Sequence, residues 1–184
     1  MSDKKYYFHP EKKILKQGYL MEDDNQKVIY EAKCLKAPLI GAATFEFVNH
    51  LTGRSEEHKV GSVPANQVGP GLLDLVSAAR SGSDLFSLRQ GFKFDGNDIW
   101  AHLSDLGVKV DVTMSLKDPS YTITQNGQEI AVLHNELPGG KKSFMSGPGN
   151  FAVETSDDYL DIAFLVAFAI AKVDKAAQSQ EHNN

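Results

Sequence analysis

The stretch YLDIAFLVAFAIAKVDKA, residues 159–176, constrains this chain more than any other. Its uninterrupted apolar part runs from Ile162 to Ala171, ten residues. A helix of that length covers only about 15 Å, whereas a bilayer core about 30 Å thick demands about 20 residues. Asp161 and Lys172 close the run at its two ends, so a membrane span is rejected. The apolar residues surround the helix instead of forming a stripe, so neighbouring protein must enclose it on every side. Ser156 or Thr155 is placed to cap it, with Asp157, Asp158 and Asp161 suited to its positive N-terminal end and Lys172 and Lys175 to its C-terminal end. Ala163, Ala167, Ala169 and Ala171 alternate with Phe164, Phe168 and Ile170, which lets other elements approach closely. The expectation is a central core helix.

Most of the remaining chain reads as strands. VKVDVTMSL sets Val108, Val110, Val112, Met114 and Leu116 on one face and Lys109, Asp111, Thr113 and Ser115 on the other. SYTITQNGQEIAVLH reads as a hairpin turning at Asn126-Gly127, and counting back from that turn pairs Ile123 with Ile130 and Tyr121 with Val132. GYLMEDDNQKVIYEAKCL gives strand, polar turn and strand, with Val28, Tyr30, Ala32 and Cys34 on one face. AATFEFVNHLTGRSEEHKVG repeats the pattern, with Phe45 and Phe47 inward and Thr52-Gly53 in the turn. GNFAVETS is a last strand leading into the apolar helix. Two shorter helices are expected, GLLDLVSAARSG (71–82) and NDIWAHLSDLG (97–107), the second with Asn97 as cap and Gly107 as left-handed stop.

The fold class is therefore α+β and mainly β. An antiparallel β-barrel encloses the hydrophobic C-terminal helix, with two short peripheral helices. At 184 residues with no break in composition, one domain spans 1–184, its ordered core about 4–176 and a disordered tail at 177–184.

Composition narrows the function. A net charge of −5 repels phosphate backbones, so nucleic acid is not an expected partner. The single cysteine, Cys34, excludes an intramolecular disulfide and a thiolate metal cluster. MSDKKYYFHPEKK lacks the apolar centre of a signal peptide, which makes the cytoplasm the expected location.

The order of segments carries a resemblance. VIYEAKCL, FEFVNHLTGRSEEHKVG, FKFDGNDIWAHLSDLGVKV, YTITQNGQEIAVLHNE and NFAVETSDDYLDIAFLVAFAIAKVD together span almost the whole chain. In this order the chain resembles a bacterial member of the LURP-one-related family, which shares the tubby C-terminal-like fold with tubby proteins and phospholipid scramblases. The resemblance implies a tubby-like barrel around the C-terminal helix. Tubby proteins bind phosphoinositide head groups through a basic patch, and scramblases act at membranes with calcium. A tubby-type basic pocket finds no match here, and MEDDNQKV (21–28) is too short for a calcium loop and lacks its final Glu.

Among candidate sites, the loop ELPGGKKSFMSGPGN (136–150) joins exposed backbone at Gly139-Gly140 to Lys141 and Lys142, which suits an anion or lipid phosphate. Lys4, Lys5, Lys12, Lys13 and Lys16 offer a second basic patch. His50 and His58 flank the Thr52-Gly53 turn without a third ligand, so no metal is expected. His102 stands between Asp98 and Asp105 at i−4 and i+3 on a short helix. Phe92, Phe94 and Trp100 read as core or as a contact surface. No nucleophile elbow, catalytic carboxylate pair or dinucleotide turn occurs, so neither a catalytic residue nor a cofactor is assigned. The expected function is non-enzymatic binding or scaffolding, toward an anionic phospholipid head group or a protein partner. The alternative is a small-molecule carrier or enzyme with a cleft near His102.

Overall fold

The computed structural model describes residues 3–11, 18–37, 42–61, 93–94, 97–98, 103–115, 118–134, 136–137, 141–142 and 149–181. The strands are β1 (Lys4–Glu11), β2 (Gly18–Glu22), β3 (Val28–Lys36), β4 (Ala43–Asn49), β5 (Arg54–Val60), β6 (Lys93–Phe94) and β7 (Asn97–Asp98), then β8 (Val108–Ser115), β9 (Asp118–Gln125), β10 (Gln128–His134), β11 (Glu136–Leu137), β12 (Lys141–Lys142) and β13 (Phe151–Thr155). A turn of 3-10 helix (Asp157–Tyr159) leads from β13 into helix α1 (Leu160–Glu181). All but two strands form one antiparallel sheet in the order β7-β6-β5-β4-β3-β2-β1-β13-β10-β9-β8, while β11 and β12 make a separate ribbon. Among the described residues, no ladder joins the two ends of the large sheet. No described helix is long and apolar enough to cross a membrane.

The sheet delivers its aromatic residues to α1. Phe164 stacks on Tyr30 at 4.3 Å and meets Phe8 edge-on at 5.2 Å. One turn later, Phe168 meets Phe47 at 5.1 Å and both Tyr19 and Phe45 at 5.2 Å, all edge-on. Such tilted ring pairs add about 0.5–1.5 kcal/mol each beyond the area they bury. Val108, Val110, Ile123 and Leu133, from β8, β9 and β10, belong to the same buried cluster. Ala163, Ala167, Ala169 and Ala171 are all buried, as the sequence leads one to expect of small residues on a closely approached helix.

Several details depart from the sequence reading. Residues 4–11, named from sequence only for their lysines, form β1, an inner strand between β2 and β13. Tyr6, Tyr7 and Phe8 are all buried, and Lys4 Nζ is held 2.5 Å from Asp157. In the β9–β10 hairpin the register slips between Glu129 and Ala131, so Ile123 pairs with Ala131 and Tyr121 with Leu133. The cause is a bulge at Ile130, which lets Ile130 and Ala131 both be buried and moves every later pair by one position. The Ile130 carbonyl that the bulge leaves over accepts a bond from Thr155 Oγ1 at 2.9 Å. Thr155 is therefore spent on the bulge, and Ser156, extended at the N-cap position, makes no side-chain cap bond.

Asn97 is likewise no helix cap. It pairs with Phe94 across β6–β7, so its backbone belongs to a strand ladder and does not head a helix. Residues 103–105 are helical, and Gly107 stops them at φ 74° as expected. A Cβ there would lie 2.1 Å from Asn126 Oδ1, so any larger residue would have to displace that side chain and also bear the positive φ. Helix α1 runs past Ala176 to Glu181, since residues 177–181 contain neither Gly nor Pro. Lys172 and Lys175 thus lie inside the helix instead of in its last turn. Lys172 Nζ sits 5.4 Å from the centre of the Phe45 ring. The other peripheral helix, 71–82, lies outside the described residues.

Candidate functional site: a polar seam beside the helix

Enclosure of α1 is incomplete along one line. Asp161 is exposed, and Ile162 and Leu165 are only half-buried, positions that fall on one helix face. Over this line lies a cavity of about 260 Å³, lined by Tyr30, Phe47, Arg54, Glu56, His58, Leu106, Asp161, Ile162 and Leu165. Its walls come from β3, β4, β5 and α1, together with Leu106 just ahead of β8. The pocket thus sits between β5, near one end of the sheet, and the approach to the strand at the other end. Of the β5 residues, only Val60 pairs with β6, so residues 54–59 form an edge among the described residues.

The register between β4 and β5 decides which charges line the pocket. Phe45, Phe47 and Asn49 stand opposite His58, Glu56 and Arg54. Opposed residues share a face, so β5 turns an arginine, a glutamate and a histidine toward the side where β4 presents phenylalanines. Arg54 Nη2 donates to Glu56 Oε1 at 2.5 Å, and His58 Nε2 lies 3.4 Å from Glu56 Oε2. The His58 ring meets Phe47 edge-on at 5.4 Å.

At the end of β4, paired with Arg54, the buried Asn49 side chain organises the β4–β5 turn. Its Oδ1 accepts from the Leu51 amide at 2.9 Å and the Thr52 amide at 3.3 Å. Its Nδ2 donates to Asp161 Oδ1 at 3.2 Å. Burial holds the Tyr30 hydroxyl protonated far above its ordinary range, and the charge and hydrogen bond of Asp161 act in the same direction. Asp161 therefore has neutral donors, and no cation pairs with it among the described residues.

The residues singled out from sequence fall elsewhere. Lys141 and Lys142 form β12, where the register sets Leu137 opposite Lys141 and Glu136 opposite Lys142. Lys4 is committed to Asp157, and Lys5 Nζ lies 5.8 Å from the Tyr7 ring centre. Lys12, Lys13 and Lys16 lie outside the described residues. His50 and His58 do not converge: His50 Nε2 is 2.8 Å from Glu31, and His58 turns to Glu56. Among the described residues, no group of three or more His, Cys, Asp or Glu side chains is placed to hold a metal ion. The carboxylate of Asp23 accepts from the amides of Asn25 and Lys27, so it shapes the β2–β3 turn. His102, Phe92 and Trp100 lie outside the described residues, and Asp98 is in β7, so Asp98 and Asp105 do not share one short helix. Sequence reasoning singled out His58, as one of two histidines flanking a turn, and missed Arg54, Glu56, Leu106 and Asp161 as one site. The available signal was RSEEHK, a strand polar on both faces beside a strand with phenylalanines on one face.

Comparison with known proteins finds no matching family model, no matching curated protein and no matching solved structure.

Burial alone would raise the Glu56 carboxyl. The hydrogen bond and charge of Arg54, joined by those of His58, outweigh it and hold the group below its ordinary 4.5. A depressed folded value means that this pairing stabilises the fold above the unfolded value and is lost as pH falls through the lowered one. Carbon-13 NMR titration of Glu56 should give a midpoint below 4.5, moving upward in Arg54→Gln. A midpoint that Arg54→Gln leaves in place would show that the pair does not set the shift.

Proposed function

We propose that this chain is a non-enzymatic binding protein, a tubby-like barrel whose open seam beside the central helix receives a small ligand. One observation carries the reading: a cavity of about 260 Å³ combines an apolar floor with inward charges on β5. Drug-sized sites begin at roughly 300 Å³, so the fitting ligand is smaller. The described lining offers no serine, threonine or cysteine nucleophile, and Arg54, Glu56 and His58 are engaged with one another, which favours holding over reacting. The wrapped sheet and sheathed helix support kinship with the LURP-one-related family, and closure of that sheet into a barrel is part of the proposal. The polar centre of the cleft is taken to be β5 in place of His102.

Titration with indole, a neutral aromatic probe, should shift amide resonances near residues 30, 47, 54–58 and 161–165, and Leu165→Trp should abolish the response by filling the cavity. Shifts scattered elsewhere, or unchanged in Leu165→Trp, would contradict the pocket.

A second proposal concerns Lys141 and Lys142, which the β11–β12 ribbon holds on a two-residue strand outside the main sheet. An anionic phospholipid head group is the ligand these charges suit, each worth about 1 kcal/mol near an anionic surface. Co-sedimentation with phosphatidylserine vesicles should fall with added salt and in Lys141→Glu/Lys142→Glu. Binding indifferent to both would remove this site.

A further inference from the structure

The lining of the seam pocket also bears on the charge of its ligand, an inference that rests on the proposal that this pocket binds one. Arg54, the one permanent cation in the described lining, pairs with Glu56 at 2.5 Å, and its charge acts on the Tyr30 hydroxyl less than those of Asp161 and Glu56 do. The second carboxylate of the lining, Asp161, has the Asn49 amide and the Tyr30 hydroxyl as partners and no cation among the described residues. Two neutral donors leave acceptor capacity on an ionised carboxylate, which has about four lone-pair sites. The aromatic side chains of Tyr30 and Phe47 line the same space, and an aromatic face attracts a cation within about 6 Å of its centre. Leu106, Ile162 and Leu165 add an aliphatic floor. Leu106 is 42% exposed, one of three large apolar side chains left so open among the described residues.

An uncompensated carboxylate, two aromatic rings and an aliphatic floor are complementary to a positive head on an apolar body. We infer that the seam pocket binds a small organic ammonium ion, with its charged nitrogen at Asp161 and the rings of Tyr30 and Phe47, and its hydrocarbon part on Leu106, Ile162 and Leu165. An anion is disfavoured there, because its approach meets Asp161 directly and finds Arg54 already engaged. Neutralising Asp161 without changing its shape should therefore weaken the ligand while leaving an acceptor for Asn49.

Isothermal calorimetry with three probes of similar body and different charge tests this: phenethylammonium, 2-phenylethanol and 3-phenylpropionate. Phenethylammonium should bind most tightly, weaken with added salt, and weaken about two- to fivefold in Asp161→Asn, the factor expected from one partly solvated charge contact. Asp111→Asn, at an exposed position on β8 away from the pocket, should leave it unchanged. Leu165→Trp should abolish it. Because Asp161 also holds Asn49, the thermal midpoint of Asp161→Asn is measured alongside. If that variant proves unfolded, Glu56→Gln takes its place, and weaker phenethylammonium binding is again the expected result. Equal or tighter binding of 3-phenylpropionate, sensitive to Leu165→Trp, would overturn the ammonium assignment and leave the pocket as a binding site. No binding of any probe would overturn both.

Discussion

Ten consecutive apolar residues on one helix, Ile162 to Ala171, impose the constraint on which the rest of this structure depends. A helix apolar on all sides has no face to offer water, so a sheet must wrap it. Phe164 and Phe168 meet rings from β1, β2, β3 and β4. The start of the helix is fixed by tertiary bonds in place of a local cap. Asp157 takes Lys4 and the Tyr6 hydroxyl of β1, while Asp161 takes Asn49 of the β4–β5 turn. The acidic residues that favour a helix N-terminus thus also tie that terminus to distant parts of the sheet.

The same constraint explains where a site can exist. Among the described residues no ladder joins the ends of the sheet, one line of the helix is less covered, and there Asp161, Ile162 and Leu165 reach the cavity. Strand β5 borders this line and carries Arg54, Glu56 and His58 on the face that β4 uses for Phe45 and Phe47. Inward charge is tolerated because those groups pair with each other at a partly solvated edge. In a dry core they would cost several kcal/mol apiece.

Much of the fold was legible in the sequence where one physical signal dominated. Alternation identified β8, the Asn126-Gly127 turn placed the β9–β10 hairpin, and the apolar run identified α1. Legibility failed where two signals competed. The consecutive Tyr6-Tyr7-Phe8 and the proline at position 10 hide the alternation of β1, and its lysines draw attention only as a basic patch. The Ile130 bulge cannot be read from a pattern of period two, because it consists of a break in that period. The pocket was hidden for another reason. RSEEHK reads as a surface strand until its register with β4 shows which three residues face the helix. Asp161 likewise reads as a residue that favours the helix N-terminus, and only tertiary contacts reveal Asn49 and Tyr30 beside it.

The central claim is that the sheet encloses α1 through its phenylalanines. Urea unfolding of Phe168→Ala tests it most directly, with Leu165→Ala on the open side of the same helix as reference. Full burial predicts a loss of about 3–5 kcal/mol for Phe168→Ala with an unchanged m-value, and a clearly smaller loss for Leu165→Ala. A loss below about 1 kcal/mol for Phe168→Ala, the range of an exposed position, would contradict the enclosure on which the fold and its seam depend.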